Sequence, residues 1–291
     1  MKKAADQACA VVSVAACADA HVLEACVAAH QRGIADFILV GDESKTRAIA
    51  EKEGIDISSF TIIHEAHDLA ACEQAVALVR QNKATALMKG LTDTSVIIRA
   101  ALNKENGIRT GRKLSHIAAF ELAHYHKLLF VTDAAINIAP TLEDKREIIH
   151  NAVLALNNLG IDTPKAALLA AKEKADEKMP CTMEYLELVE MHKNGGFEGC
   201  SFIMDGPLAL DNAVSAESCE IKGINSPVGG DADLLVAPDI EAGNVLYKAL
   251  AFLANARCGG VVLGATRPII LTSRADSADS KLVSIALSVL M

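Results

Sequence analysis

Short apolar runs alternate with longer amphipathic stretches along almost the whole chain, and that alternation leaves few folds open. The short runs are 10–15, 37–40, 61–64, 84–88, 114–120, 128–132, 166–171, 200–204, 234–237, 260–263 and 269–271. Between them lie helical patterns at 20–32, 44–53, 69–81, 93–102, 142–159, 183–192, 242–256 and 277–290. Strands that alternate with helices imply right-handed crossovers and mostly parallel sheets covered on both faces, an α/β architecture. Gly41-Asp42 and Gly54 read as the loop and helix-end punctuation between the first such units. At about 150 residues per domain, 291 residues suggest two. No repeat or low-complexity linker marks the boundary, and the reading places a soft one near 122–125.

The filling of this fold is aliphatic. Apolar residues are 51% of the chain, aromatics only 3%, and Trp is absent. Ala, Val, Ile and Leu are the usual packing of helices on a parallel sheet. The net charge of −9 repels polyanions, no basic run exceeds two residues, and aromatics are too few to stack bases, so no nucleic-acid partner is expected. Eight cysteines are scattered without a C-x-x-C, mostly in apolar segments, which reads as reduced thiols in a cytoplasmic protein. No apolar stretch reaches the roughly 18 residues of a membrane span. Met1-Lys2-Lys3 before an apolar segment has a faint look of a signal peptide, but Asp6 and Gln7 interrupt it, and a first strand at 10–15 is the expectation.

The last residues pose a question. The apolar run 269–271 passes into Ser273-Arg274-Ala275-Asp276-Ser277 and then a helix whose polar stripe is Lys281, Ser284 and Ser288. Asp276 or Ser277 suits the helix N-cap. A cap does not account for Ser273 and Arg274, whereas a site holding an anion at a strand's carboxyl end does.

Other familiar chemistry is missing. There is no P-loop, no G-x-G-x-x-G after a strand and no nucleophile elbow. His124-Tyr125-His126 resembles half a metal site but lacks a third ligand at suitable spacing, so no metal is expected and a solvated turn is the reading. Three stretches remain open between function and plain structure. In 88–102, Gly90 follows a strand, and Thr92, Asp93, Thr94 and Ser95 open a helix carrying Arg99. Helix N-termini seat phosphate or carboxylate, and the same residues suit an ordinary cap. In 106–116, Arg109, Arg112 and Lys113 sit in a glycine-punctuated loop that is either a phosphate clamp or a solvated basic turn. In 234–254, Pro238-Asp239 leads into a helix with Gly243, Asn244, Tyr247 and Lys248 on its first turns, the place where open α/β sheets bind ligands.

Four strings, LMKGLTDTSVIIRAALNKENGIRTG, MDGPLALDNAVS, LLVAPDIEAGNVLYKAL and GATRPIILTSRADSADSKLVSIAL, are collinear with a known family and cover most of the chain. The chain resembles the phosphate acetyl/butyryltransferases, and within them the butyryl-transferring branch. The resemblance implies two three-layer α/β/α domains, related in fold to isocitrate and isopropylmalate dehydrogenases, with a cleft between them. Residues 1–124 plus 265–291 would form the first domain, with a returning carboxy-terminal helix, and 125–264 the second. It implies exchange of an acyl group between coenzyme A and phosphate in one ternary complex, with a butyryl or branched short chain and no metal or organic cofactor. It also implies a homodimer or higher homo-oligomer.

By the same resemblance, Ser273 and Arg274 bind the transferring phosphate and acyl oxygen. Arg109 holds the phosphoryl group, and Thr92, Ser95, Arg99, Arg112, Asn244 and Lys248 contact phosphate or coenzyme A. One departure stands out. The acetyl-transferring branch places an aspartate seven residues after the serine as base toward the thiol; here that position is Ser280. Asp279, Asp276 or the substrate phosphate is left for the role. A metal- and NAD-dependent decarboxylating dehydrogenase of similar fold, or a non-catalytic binder of coenzyme A or acyl phosphate, is the rival reading.

Overall fold

The structure, a computed structural model, describes residues 1–5, 10–272 and 276–291. The chain divides into two compact units, Met1–Arg112 with Gly259–Met291, and Lys113–Cys258. In chain order the elements begin with α1 (Lys2–Ala5), β1 (Ala10–Ala15), α2 (Ala20–Gln31), β2 (Ala35–Gly41) and α3 (Glu43–Glu53). Next come β3 (Thr61–His64), α4 (Asp68–Arg80), β4 (Ala86–Lys89) and α5 (Thr94–Ala101). The second unit holds β5 (Ser115–Glu121), β6 (Leu129–Thr132), α6 (Leu142–Asn158), β7 (Lys165–Leu169), α7 (Pro180–Lys193) and β8 (Ile203–Leu208). It continues with α8 (Leu210–Val214), α9 (Ala216–Lys222), β9 (Leu234–Val236) and α10 (Ile240–Lys248). β10 (Arg257–Leu263), β11 (Ile269–Ile270) and α11 (Ala278–Leu290) complete the chain.

In the first unit the strands run β3-β2-β1-β4-β11-β10, parallel except for the β10–β11 pair. Helical crossovers carry β1 to β2 to β3 in one direction and then back across β1 to β4. α11 packs on α2, and α4 packs on α5. Val12, Val14, Leu39, Leu87, Met88, Ile269 and Ile270 are buried in the sheet between them. Strands covered on both faces read as the near-continuous apolar runs from which they are predicted.

The second unit has the order β5-β6-β9-β7-β8, with β5 antiparallel and the rest parallel. The 122–125 segment, expected to separate domains, is the turn joining β5 to β6, and the changes of unit fall at 112/113 and 258/259. Two expectations are corrected here, and two elements are added. The strand predicted over 200–204 is β8, Ile203–Leu208, running through Gly206-Pro207. β8 is an edge strand of this unit, where a proline's missing N–H does no harm, so the glycine-proline pair is not the breaker it resembles. The helix predicted over 242–256 is α10 followed by a π turn, Ala249–Leu253, leaving Phe252 and Leu253 exposed. The short helices α8 and α9 lack the periodic length by which a helix is recognised.

Of the eight cysteines, Cys17, Cys26, Cys72, Cys219 and Cys258 are buried and outside any disulfide, Cys181 and Cys200 are partly covered, and Cys9 lies outside the described residues. Among the described residues no helix is long and apolar enough to cross a membrane. The His124-Tyr125-His126 turn is tied down by its own side chains. Tyr125 Oη donates to the Ala232 carbonyl at 2.7 Å, and His126 Nε2 pairs with Asp231 Oδ1 at 2.7 Å.

Candidate active site

β1, β4 and β11 are parallel neighbours, with Val14 opposite Met88 and Met88 opposite Ile270. Their carboxyl ends therefore leave the sheet side by side along one rim. The β4 exit is pressed against that of β1. Gly90 N–H donates to the Ala15 carbonyl at 2.8 Å and Leu91 N–H to Ala16 at 2.7 Å. A Cβ on Gly90 would lie 2.2 Å from the Ala16 carbonyl oxygen, so only glycine fits. Lys89 is buried, and its ammonium donates to the carbonyls of Gly90 at 3.3 Å and Thr92 at 3.2 Å. The β4–α5 loop is thus gathered around an inward-facing cation.

Asp93 is the N-cap of α5 by backbone, yet its side chain makes no capping bond. The first N–H groups of a helix have no partner inside it, so this terminus favours an anion. Ser95 and Arg99 are exposed and lie four residues apart, on one face of α5. Thr92 differs. Its hydroxyl is fully covered, has no hydrogen bond of regular geometry among the described residues and lies against the Cys72 thiol of α4. Burial pushes that thiol up to about 11, with the Thr92 hydroxyl and the Lys89 charge pulling the other way.

The basic loop is ordered by its backbone rather than by its arginines. Gly107 sits so close to the Ala101 and Asn103 carbonyls that a Cβ would fall 2.4 Å from each. Ile108 is buried, Arg109 bridges antiparallel to Ala265, and Thr110 Oγ1 donates to the Gly264 carbonyl at 2.5 Å. Arg109 and Arg112 are exposed. Their loop adjoins the chain approaching β11, whereas Thr92, Ser95 and Arg99 belong to the rim at the strands' carboxyl ends. Past β11, Thr272 is buried, Ser273 and Arg274 lie outside the described residues, and α11 begins with Ser277 accepting from Ser280 N–H at 3.2 Å. Ser277 rather than Asp276 is the cap, and Asp279 is exposed in the first turn.

In the second unit, Asn244 Nδ2 donates to the Ala134 carbonyl at 3.0 Å, and Lys248 is exposed on α10. Gly243 lies against the backbone of Asp133, where a Cβ would meet the carbonyl oxygen at 2.3 Å. The sequence reading passed over Asp133 itself. This buried carboxylate, at the end of β6, accepts from the backbone N–H groups of His116, Ala135 and Ile136 and from Asn137 Nδ2 at 2.6 Å. The available signal was an aspartate directly after an apolar strand with an asparagine four residues on. Lys89 was passed over too, as one more lysine.

Comparison with known proteins agrees with this arrangement. The sequence profile described as Phosphate acetyl/butaryl transferase matches residues 1–74 and 68–289. Phosphate butyryltransferase of Clostridium acetobutylicum is 44% identical over 280 residues, covering 96% of this chain and 92% of that protein. Phosphate acetyltransferase of Rhizobium meliloti is 42% identical over 284 residues, covering 98% and 89%. Among solved structures, a branched-chain phosphotransacylase from Enterococcus faecalis V583 superposes with a TM-score of 0.85 at 33% identity, covering 97% of this chain and 98% of that one. The α/β units with mostly parallel sheets, the collinear motifs and these matches along nearly the full length agree, and the chain belongs to the phosphate acetyl/butyryltransferase family.

Proposed function

We propose that this acyltransferase moves a butyryl or branched short-chain acyl group between coenzyme A and inorganic phosphate. Written toward acyl phosphate, a phosphate oxygen attacks the thioester carbonyl, the new C–O bond forms and the C–S bond breaks. The proton of hydrogen phosphate ends on the departing thiolate, so atoms and charges balance without any metal or organic cofactor. The observation that carries the reading is the shared rim of β4 and β11. It brings the anion-favouring start of α5 beside the exit of the strand that leads to Ser273 and Arg274.

In this reading Arg274 neutralises phosphate and the charge growing on the carbonyl oxygen, a contribution of about 3–4 kcal/mol for a well-placed donor. Holding both substrates together lowers the barrier further. Ser273 is a second hydrogen-bond donor to phosphate, and in the reverse direction, where the coenzyme A thiol attacks acyl phosphate, Asp279, Asp276 or phosphate itself receives the thiol proton. A base need not be strong, since a free thiol titrates only about one to two pK units above neutrality. Arg99, Arg109, Arg112, Ser95, Asn244 and Lys248 are proposed contacts for phosphate or coenzyme A, and Thr92, its hydroxyl turned inward and its carbonyl held by Lys89, shapes the loop instead. A homo-oligomer in the cytoplasm is the setting proposed for it.

The test is thiol release from acetyl-, propionyl-, butyryl- and isovaleryl-CoA, with and without phosphate. The expected outcome is phosphate-dependent release, fastest for butyryl or isovaleryl. Release independent of phosphate, or binding without turnover, overturns the assignment.

A further inference from the structure

Two buried lysines stand at the first unit's rim, at the exits of the neighbouring strands β4 and β11. Lys89 holds the carbonyls of Gly90 and Thr92, as described. Lys281 belongs to the first turn of α11 and is buried. Its Nζ donates to the Asp276 carbonyl at 2.8 Å, just before the helix cap Ser277. Burial works against its charged form, and the negative charges of Asp276 and Asp19 work for it. Asp19 caps α2 by accepting from Val22 N–H at 3.0 Å and lies in the exit of β1. One ammonium therefore holds the residue before the α11 cap and is favoured by a carboxylate that caps the helix after β1.

An aliphatic side chain would suit such a buried position at lower desolvation cost. A lysine here performs two tasks that an aliphatic residue cannot. It gives a partner to the backbone carbonyl of Asp276, and it offsets two carboxylates that would otherwise repel an incoming anion.

Resting on the function proposed above, we infer that Lys281 is a positioning residue for phosphate transfer: its ammonium anchors the Asp276 carbonyl at the start of α11 and offsets the Asp19 and Asp276 carboxylates. Lys89 acts likewise on the neighbouring loop. Neither lysine touches substrate or a reacting atom. Their effect passes through the loops they hold.

The experiment compares wild type, Lys281→Met, Lys281→Arg and the double variant Lys281→Met/Asp19→Asn. Asparagine caps a helix as well as aspartate, so the double variant removes a charge without removing the cap. Lys281→Met should lower kcat/KM for phosphate about a hundredfold, the scale of a loss of positioning. Lys281→Arg should recover most of that loss, and the double variant a part of it. A filler role predicts the reverse, with methionine tolerated and arginine disruptive.

Hydrogen exchange supplies a readout independent of turnover. The Ser280 and residue-281 amides, bonded to the Ser277 side chain and carbonyl, should exchange faster in Lys281→Met than in Lys281→Arg. If methionine matches wild type in both measurements, or arginine is no better than methionine, the inference fails. If the wild type itself releases no thiol, the proposed function fails, and exchange alone then decides whether Lys281 anchors the turn.

Discussion

The two units solve the same problem with opposite charges. A chain leaving a buried parallel strand carries backbone groups that need partners. At the β4 exit a buried ammonium collects carbonyls, those of Gly90 and Thr92. At the β6 exit a buried carboxylate collects N–H groups, those of His116, Ala135 and Ile136, together with the Asn137 amide. The consequences differ. The first arrangement occupies acceptors and adds positive charge just before the start of α5, where an anion is favoured. The second consumes donors and adds negative charge, which makes a rigid strand exit and a poor phosphate seat. The difference teaches why two sheets of similar topology need not share the chemistry at their edges.

The largest effect expected on this comparison is from Arg274→Ala, with kcat reduced about 10²–10³-fold, the range for loss of one transition-state donor. Steady-state thiol release checks it, and near-normal turnover would return the first rim to a structural role. Next comes Asp133→Ala. It leaves the His116, Ala135 and Ile136 amides and the Asn137 side chain without their shared acceptor. Urea unfolding should show a loss of about 3 kcal/mol, the penalty range for buried groups left unsatisfied. A stability loss this large with little change in kcat per folded molecule confirms the division of labour. A collapse of kcat in a stable protein breaks it.

The smallest effect concerns the layer beneath the first rim. Cys72 is held neutral by burial, its thiol raised from 9.0 to about 11. A group whose folded pKa is raised contributes stability that is fully present below the unfolded value and is lost as pH climbs toward the folded one. Between pH 9 and 11 the protein should therefore lose about 2–3 kcal/mol through this thiol. Cys72→Ser should lose less over the same interval, measured by urea unfolding at paired pH values. Identical pH dependence in the two proteins would remove Cys72 from that layer.

Much of the fold was legible. The strand predicted over 10–15 is β1 and that over 61–64 is β3, because short, mainly apolar or β-branched runs between polar stretches carry their own signal. β8 was misplaced because Gly206-Pro207 looks like a break until its edge position is known. The candidate site was legible as residue types. Ser95, Arg99, Arg109, Arg112 and Lys248 are all exposed. Direction was not legible. Thr92 reads like its neighbours Thr94 and Ser95, yet its hydroxyl turns inward to Cys72. Asn244 spends a donor on the Ala134 carbonyl.

Sequence alone determined the alternation of strands and helices, the aliphatic core, the collinear family motifs and the repulsion of polyanions. These follow from composition and from short-range periodicity, which every window of the chain carries by itself. Tertiary structure alone decided which charges are buried and what they hold. Lys89, Lys281 and Asp133 look like surface residues until strands distant in sequence come side by side and cover them. The physical reason is that a charge's role is set by its dielectric surroundings and its partners, and both are assembled only when the chain has folded.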